Sequence, residues 1–324
     1  MTAVPPLALG EIEFGEGGLH RPECVLATRA GNLYVSDVRG GISRIAADGE
    51  RTFFGQAEDP AEARFKPNGF AMRPDGSFLF ANQGEAGGVF EMCRDGQARP
   101  YLLEVDGLRL GPTNFVLIDA RERVWISVST RRRERHSFRR DTPDGFIALV
   151  DDKGARIAAD GFVWTNEFRF DAAAEWLYVC ETMAKRLVRL RLLADGGFGP
   201  HETVAEFGAG DFPDGLTLDA EGSIWITSPV SNRLWRVTPD GEKTLLLEDA
   251  DVAHIDEVER QLSDGSLRGP KIHEVHSKRL PNLTSLAFGG PDLKTAYMGV
   301  ISGDAILSFQ SPVAGLAMAH WDWD

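Results

Sequence analysis

The sequence is short of cysteine and of basic residues. Its three cysteines, Cys24, Cys93 and Cys180, are far apart and odd in number, which argues against a disulfide framework or a cysteine zinc motif and predicts free thiols. Lysine and arginine total 35 against 49 acidic residues, a net charge of −14, so a general nucleic-acid-binding surface is not expected. The one basic run, RRRERHSFRR at 131–140, is predicted to be a solvated loop.

Long apolar runs and targeting signals are also missing. No stretch approaches the roughly 18 apolar residues of a membrane helix. The first residues, MTAVPPLALG, lack the basic and apolar segments of a secretory signal. We therefore expect a soluble protein without membrane association, in a reducing, cytoplasmic setting. A Gly-x-Ser-x-Gly motif is absent too, so a nucleophile-elbow serine hydrolase is not indicated.

What the chain does have is one layout repeated six times. A polar residue starts an apolar strand, a turn follows, and a second strand is rich in aromatic or β-branched residues, as in FPDGLTLDAEGSIWIT. Successive copies lie 46, 45, 53, 47 and 72 residues apart, counted between Leu33, Leu79, Val124, Leu177, Ile224 and Ala296. A period in the forties with several strands per repeat predicts an all-β fold, a six-bladed β-propeller, as a single domain over residues 1–324.

Three segments lie outside the repeat. The early stretch LGEIEFG is predicted to be a strand that completes the last blade. Residues 130–144 and 249–280 are longer than blade closure needs, and DVAHIDEVERQL in the second has the apolar spacing of a short helix. Antiparallel strand directions place both insertions on the face where the inner strands begin. We therefore expect both to overhang the mouth of the central channel and to form a partial lid.

The polar residues at the strand starts should converge, because the inner strands of a propeller line its axis. They are Glu23, Asn68, Asn114, Asn166, Asp214 and, in the sixth copy, Asn282 or Thr284. Carboxylate and amide oxygens suit one divalent cation, and no histidine or cysteine stands at these positions. Calcium is the preferred ion, with magnesium, manganese and zinc as alternatives.

These segments resemble the regucalcin/gluconolactonase family, most specifically in FPDGLTLDAEGSIWIT, TNEFRFDAAAEWLYVCET and LTSLAFGGPDLKTAYMG. The resemblance implies a six-bladed propeller that binds one divalent cation on its axis. It implies Glu23, Asn166 and Asp214 as metal ligands, with Asn114 as a further ligand or a substrate contact. The implied activity is lactone hydrolysis, in which the metal polarises the carbonyl and Asp214 serves as the base.

Two departures from the family pattern bear on the substrate. Phe115 and Val116 stand where the family has Asp-Gly after the asparagine, and Pro112 stands where sugar-lactone members have arginine. Both changes remove groups that would hydrogen-bond a polyol, so a less polar lactone or ester is expected. Phe115, Asn68, Glu181 and His136 join Asn114 as candidate substrate contacts, and His20 is a further candidate helper in catalysis.

Two other functions fit the same residues. One is a different metal-dependent hydrolase on this scaffold, an esterase or phosphotriesterase. The other is a non-catalytic propeller that binds a ligand and holds the ion structurally, because propellers host many functions. For a lactonase or another hydrolase, the expected partner is a small lactone or ester substrate and not nucleic acid or a membrane.

Overall fold

Six four-stranded antiparallel sheets form the protein in a computed structural model that describes residues 2–132, 138–194 and 196–323. Five are built from consecutive strands in chain order. These are β2–β5 (Val25–Ala27, Leu33–Asp37, Gly41–Ile45, Arg51–Phe54), β6–β9 (Pro67–Met72, Phe78–Asn82, Val89–Met92, Ala98–Leu102), β12–β15 (Thr113–Ile118, Val124–Val128, Gly145–Asp151, Gly154–Phe162), β16–β19 (Thr165–Phe170, Trp176–Glu181, Arg186–Arg191, Glu202–Glu206) and β20–β23 (Leu216–Leu218, Ile224–Ser228, Arg233–Val237, Lys243–Glu248).

The sixth blade joins the two ends of the chain. Strands β24–β26 (Leu283–Gly289, Thr295–Val300, Leu307–Gln310) receive β1 (Glu13–Phe14) as their outer strand, with Glu13 opposite Ser308. The first strands of neighbouring blades contact one another from β6 round to β24, β24 contacts β2, and β3 contacts β6 between the first two blades. The predicted six-bladed propeller and the closing role of the N-terminal strand are both confirmed. That strand is shorter than LGEIEFG because Leu9–Glu11 forms a 3-10 turn.

The remaining elements are short. A two-stranded hairpin, β10 and β11 (Glu104–Val105 and Leu108–Arg109), follows the second blade. Helix α1 (Val252–Ser263) confirms the predicted helix of the second insertion, and α2 (Gly269–Ile272) follows it. Further 3-10 turns are Pro60–Glu62 and Ala319–Asp322. Among the residues described, no helix is both long enough and apolar enough to cross a membrane.

Turn chemistry and aromatic packing hold each blade. In the hairpin between β6 and β7, the Asp75 carboxylate accepts a hydrogen bond from the Ser77 N–H at 2.9 Å, and Gly76 has a φ of +81°, which side-chain-bearing residues rarely adopt. Phe78 is fully buried and lies 5.4 Å from the ring of Tyr34 in the preceding blade. The core therefore lies between the faces of adjacent blades, and burying a side chain such as Phe78 contributes roughly 1.5–3 kcal/mol.

Candidate functional site

Backbone irregularities mark the starts of three inner strands. The register of the first strand pair shifts between Pro67 and Phe70 in β6, between Thr113 and Phe115 in β12 and between Thr165 and Phe168 in β16. Each shift contains the asparagine of that blade, Asn68, Asn114 or Asn166. A bulge bends the strand and redirects a side chain out of the ordinary alternation. The propeller thus uses bulges at the positions where the repeat places its amides.

Four of the predicted residues line one cavity of about 950 Å³. They are Glu23, Asn114, Asn166 and Asp214, each from a different blade. The Asn166 amide donates to Thr182 Oγ1 at 2.9 Å and to Asp214 Oδ1, while Thr182 donates to the Pro213 carbonyl at 2.7 Å. One oxygen of the Asp214 carboxylate is therefore held in place by the neighbouring blade.

Burial disfavours several negative charges at once among the acidic side chains around Asp214. Burial raises the pKa of Asp214 well above its usual value, and the nearby Glu23 and Glu167 raise it further, against the Asn166 hydrogen bond and Arg21. Burial likewise raises the pKa of Glu167 to about 8, although Arg169 lies 3.3 Å away and opposes the shift. Three acidic side chains this close favour either protons or a cation among them.

The donor atoms fit a hard divalent cation. Asn114 and Asn166 are 4 % and 5 % exposed, and their Oδ1 atoms are buried without a hydrogen-bond partner in the part of the chain that the structure describes. Leaving such an oxygen unsatisfied is unfavourable, and a cation satisfies it. Two carboxylates and two amide oxygens form the type of ligand set that calcium, magnesium or manganese takes.

Arg21 also lies in the cavity wall, although the sequence analysis did not select it. Its guanidinium donates to Asn68 Oδ1 at 3.1 Å and to the Pro67 carbonyl at 3.4 Å, and its backbone has a φ of +54°. Asn68 in turn donates to the Asn114 carbonyl at 3.1 Å. Asn68 is not among the residues that line the cavity. Its side chain instead binds Arg21 and the backbone of the third blade.

Phe115 and Glu181, two predicted substrate contacts, lie away from the cavity. The Phe115 ring packs in the core, 5.5 Å from Phe168, with the Arg169 guanidinium 4.3 Å from its centre. Glu181 is fully buried and accepts hydrogen bonds from the Val163 N–H at 2.6 Å and from Arg186 at 2.5 Å. In this structure, packing and an ion pair already engage these two side chains.

Of the two candidate histidines, His20 belongs to the described residues and His136 does not. His20 is half-buried and is not among the residues that line the cavity. His136 lies outside the described residues.

Both insertions contribute to the cavity wall. Arg131, Arg132 and Phe138 come from 130–144, and Gly269, Ile272 and His273 come from 249–280. Phe138 packs edge-on against Trp164 at 4.6 Å and joins a buried apolar cluster with residues of α1 and α2. Described residues of both segments therefore lie at the cavity that Glu23 and Asp214 line, on the face that the strand directions predict, and the lid over its mouth stays a prediction.

Asn282 fastens the second insertion and does not belong to the axial ring. Its amide donates to the carbonyls of Ile272 and Glu274 at 3.0 and 3.2 Å. In the sixth blade it is Thr284 that reaches the neighbouring inner strand, where its hydroxyl donates to the Glu23 carbonyl at 2.7 Å.

Basic side chains are concentrated around the cavity, in contrast to the acidic whole. Those that line it are Arg21, Lys66, Arg109, Arg131 and Arg132. Two of them have acidic partners, since Arg131 pairs with Asp160 at 2.7 Å and Arg132 lies 3.8 Å from Asp144. Burial, Arg21 and Lys66 together lower the pKa of His273 to about 4, so this imidazole is neutral near pH 7.

Sequence reasoning missed Arg21, His273 and the Glu167–Arg169 pair. The available signal was their position, because Arg21 lies two residues before Glu23 and Glu167 directly follows Asn166. For His273 the sequence carries no comparable mark, since it lies in an insertion without a repeat.

The chain is similar to known proteins in sequence and in fold. A 6-deoxy-6-sulfogluconolactonase of Pseudomonas putida is 26% identical over 233 residues, covering 71% of this chain and 67% of the relative. Pentonolactonase XacC of Haloferax volcanii is 28% identical over 242 residues, covering 73% and 67%. Among solved structures, a calcium-binding regucalcin of Agrobacterium tumefaciens superposes with a TM-score of 0.65 at 18% identity, covering 93% of each chain, which shows a shared fold.

The match to a protein family covers most of the propeller. Residues 21–248 match the SMP-30/Gluconolactonase/LRE-like region, which spans the first five blades and ends directly before the second insertion. Glu23, Asn114, Asn166 and Asp214 all fall within it. The chain belongs to the SMP-30/gluconolactonase/LRE-like family.

Proposed function

We propose that the protein is a divalent-metal-dependent lactonase that hydrolyses a lactone bound in the axial cavity. The observation that carries this proposal is the convergence of four oxygen-bearing side chains from four blades on one cavity floor, two of them with buried, unsatisfied amide oxygens. The names of the two curated relatives, both lactonases, support it. Calcium is the preferred ion, and the calcium-binding regucalcin of the same fold supports that choice.

The proposed roles divide between ion and protein. Glu23, Asn166 and Asp214 would hold the ion, with Asn114 beside it. When bound, a divalent cation supplies Lewis-acid polarisation of the lactone carbonyl. Asn166 fixes one oxygen of the Asp214 carboxylate, and we assign proton acceptance from the attacking water to that carboxylate.

The charges around the cavity bear on the substrate class. The expectation of a less polar lactone rested on Phe115, which is not among the residues that line the cavity, and on Pro112, which is. Of the described residues, five basic side chains line the cavity against the acidic Glu23, Glu85 and Asp214, so we propose a lactone that carries an anionic group such as a carboxylate or sulfonate. The name of the Pseudomonas putida relative denotes a lactone with a sulfonate group, which supports the same class.

The first experiment tests metal dependence and the base. Chelator-treated protein would be assayed for proton release on a panel of neutral and anionic lactones, with calcium, magnesium, manganese and zinc added back singly. We expect turnover only with metal, and a loss of at least about 100-fold in kcat for Asp214→Asn, within the range of general base catalysis. Asp240→Asn makes the same chemical change at an exposed turn and should retain full activity.

Equal turnover by Asp214→Asn and Asp240→Asn with metal bound would refute Asp214 as the base and leave the lactonase assignment in place. Ion binding without turnover on any lactone or ester would contradict the lactonase and favour a binding propeller.

The second experiment tests the anionic group. Arg109→Gln should raise KM for anionic lactones about tenfold or more while leaving neutral lactones unchanged, because it removes one charge from the cavity wall. Arg121→Gln, at an exposed turn, is the matched control. An equal effect of Arg109→Gln on neutral and anionic substrates would refute the substrate class and leave the lactonase assignment in place.

A further inference from the structure

A second group of metal-binding side chains lies in the insertion between the fifth and sixth blades. His254 is in the first turn of α1, and Glu274 and His276 follow α2. One ligand atom from each lies within 4.8 Å of the others. The imidazoles of His254 and His276 stack with centres 4.1 Å apart, and His276 Nε2 lies 3.0 Å from Glu274 Oε2. None of the three lines the axial cavity.

The state of His254 points to a ligand. This side chain is only 4 % exposed, and neither of its ring nitrogens has a hydrogen-bond partner within the described parts of the chain. A buried polar group normally has a hydrogen-bond partner, because leaving it without one costs about 1–3 kcal/mol. Stacking on His276 satisfies the ring faces and leaves the nitrogens unused. A cation at the edges of the two rings, where the nitrogen lone pairs point, would give a nitrogen of His254 its missing partner.

We propose that His254, His276 and Glu274 form a binding site for a transition-metal ion of the zinc class, separate from the axial site. Two imidazoles and one carboxylate suit zinc and its neighbours, whereas the oxygen ligands on the axis suit calcium or magnesium. Three protein ligands leave a fourth position for water. Lys271 also pairs with Glu274, at 2.7 Å, so the two imidazole nitrogens supply most of the preference for the metal.

The position of this site gives it a mechanical consequence. It would tie the start of α1 to the segment after α2, the same segment in which His273 lines the cavity. Asn282 already holds the Glu274 carbonyl from the sixth blade. A metal here would therefore stabilise the second insertion without contacting the axial cavity.

The test uses the full chain and metal ions alone. Chelator-treated protein would be titrated with zinc by calorimetry and with cobalt(II), whose visible absorption reports nitrogen and oxygen ligation. The Asp214→Asn variant serves as the background, so that axial binding is weakened throughout. We expect one tight zinc site in that background, and a loss of at least about tenfold in affinity after His276→Gln. His276 is exposed, so the substitution should leave the fold intact, which circular dichroism would verify.

Controls separate this site from others. His201→Gln alters an exposed histidine of the fourth blade and should leave zinc affinity unchanged. Zinc should raise the melting temperature of the background protein and not that of the variant with His276→Gln. Unchanged zinc affinity in both His276→Gln and His254→Gln would overturn the proposal, as would the absence of tight zinc binding. Neither result depends on whether the protein hydrolyses lactones.

Discussion

The start of the second insertion, Asp249, and its end, 278–280, together form what we call its neck, and one carboxylate holds them together. Asp249 is 5 % exposed and accepts three backbone hydrogen bonds, from the N–H groups of Lys278, Arg279 and Leu280 at 3.2, 2.6 and 2.8 Å. These bonds hold the two ends of 249–280 together. Asp249→Ala removes every acceptor at once and leaves the donors behind, so we expect it to destabilise the protein and to loosen the lid.

The magnitude follows from the burial of each donor. The Leu280 N–H is buried, so the loss of its charged acceptor should cost about 2 kcal/mol. The bonds from Lys278 and Arg279 are half-buried. Their loss should cost about 1 kcal/mol or less each, because water can replace the acceptor. Asp249→Ala should therefore lower the free energy of unfolding by about 2–4 kcal/mol. Asp249→Asn keeps one carbonyl oxygen for two of the donors and should lose only about 1 kcal/mol.

Urea denaturation, followed by tryptophan fluorescence and far-ultraviolet circular dichroism together, would measure these differences. Asp251→Ala is the matched control, because Asp251 accepts a single N–H, that of His254, as the cap of α1 and should cost about 1 kcal/mol. Limited proteolysis should cut the lid faster in Asp249→Ala than in Asp251→Ala. If both alanine variants lose the same stability, or Asp249→Ala loses less than about 1 kcal/mol, the role of the neck is refuted.

Three further outcomes follow from the site and lid. Gly215→Ala should weaken metal binding in a calcium titration at least tenfold, because its Cβ would lie 2.3 Å from the Thr284 carbonyl oxygen and push two blades apart beside Asp214; full affinity would contradict this. In chelated protein the folded pKa of Glu167, about 8, exceeds its unfolded value of 4.5, so stability should fall between pH 4.5 and 8 in urea titrations, and less steeply after Glu167→Gln. Phe138→Ala should change the ranking of lactones by kcat/KM without removing the axial metal, and an unchanged ranking would count against the lid.

The repeat made the propeller and its axis predictable. Glu23 and Asp214 begin equivalent strands, and a closed ring brings equivalent positions together whatever the details of each blade. The helix in the second insertion was predictable as well, because Ile255, Val258 and Leu262 recur at helical spacing and bury one face. These inferences depend on periodicity, which the sequence displays directly.

Other features depend on local departures from periodicity. The register shift between Thr113 and Phe115 changes which way the following side chain points, so Phe115 enters the core instead of the cavity. Arg21 reaches the axis through a left-handed backbone conformation, which arginine rarely adopts. The stacking of His254 on His276 requires two helices to fold back on each other. Sequence spacing contains no signal for the register shift or for the stacking, and it marks Arg21 only by its position two residues before Glu23.

The pairing of β1 with β26 affects how the chain can associate with copies of itself. Until Glu13 and Phe14 arrive, β26 presents an unpaired edge, and the strand that fills it comes from the opposite end of the chain. Loop-closure entropy rises only slowly with length, so joining these distant segments is thermodynamically inexpensive. At high concentration, however, the N-terminal strand of a second molecule competes for the same edge. Substitutions that strain the segment joining β1 to β2 while leaving the β1–β26 pairing intact should therefore favour strand-exchanged dimers before they unfold any blade.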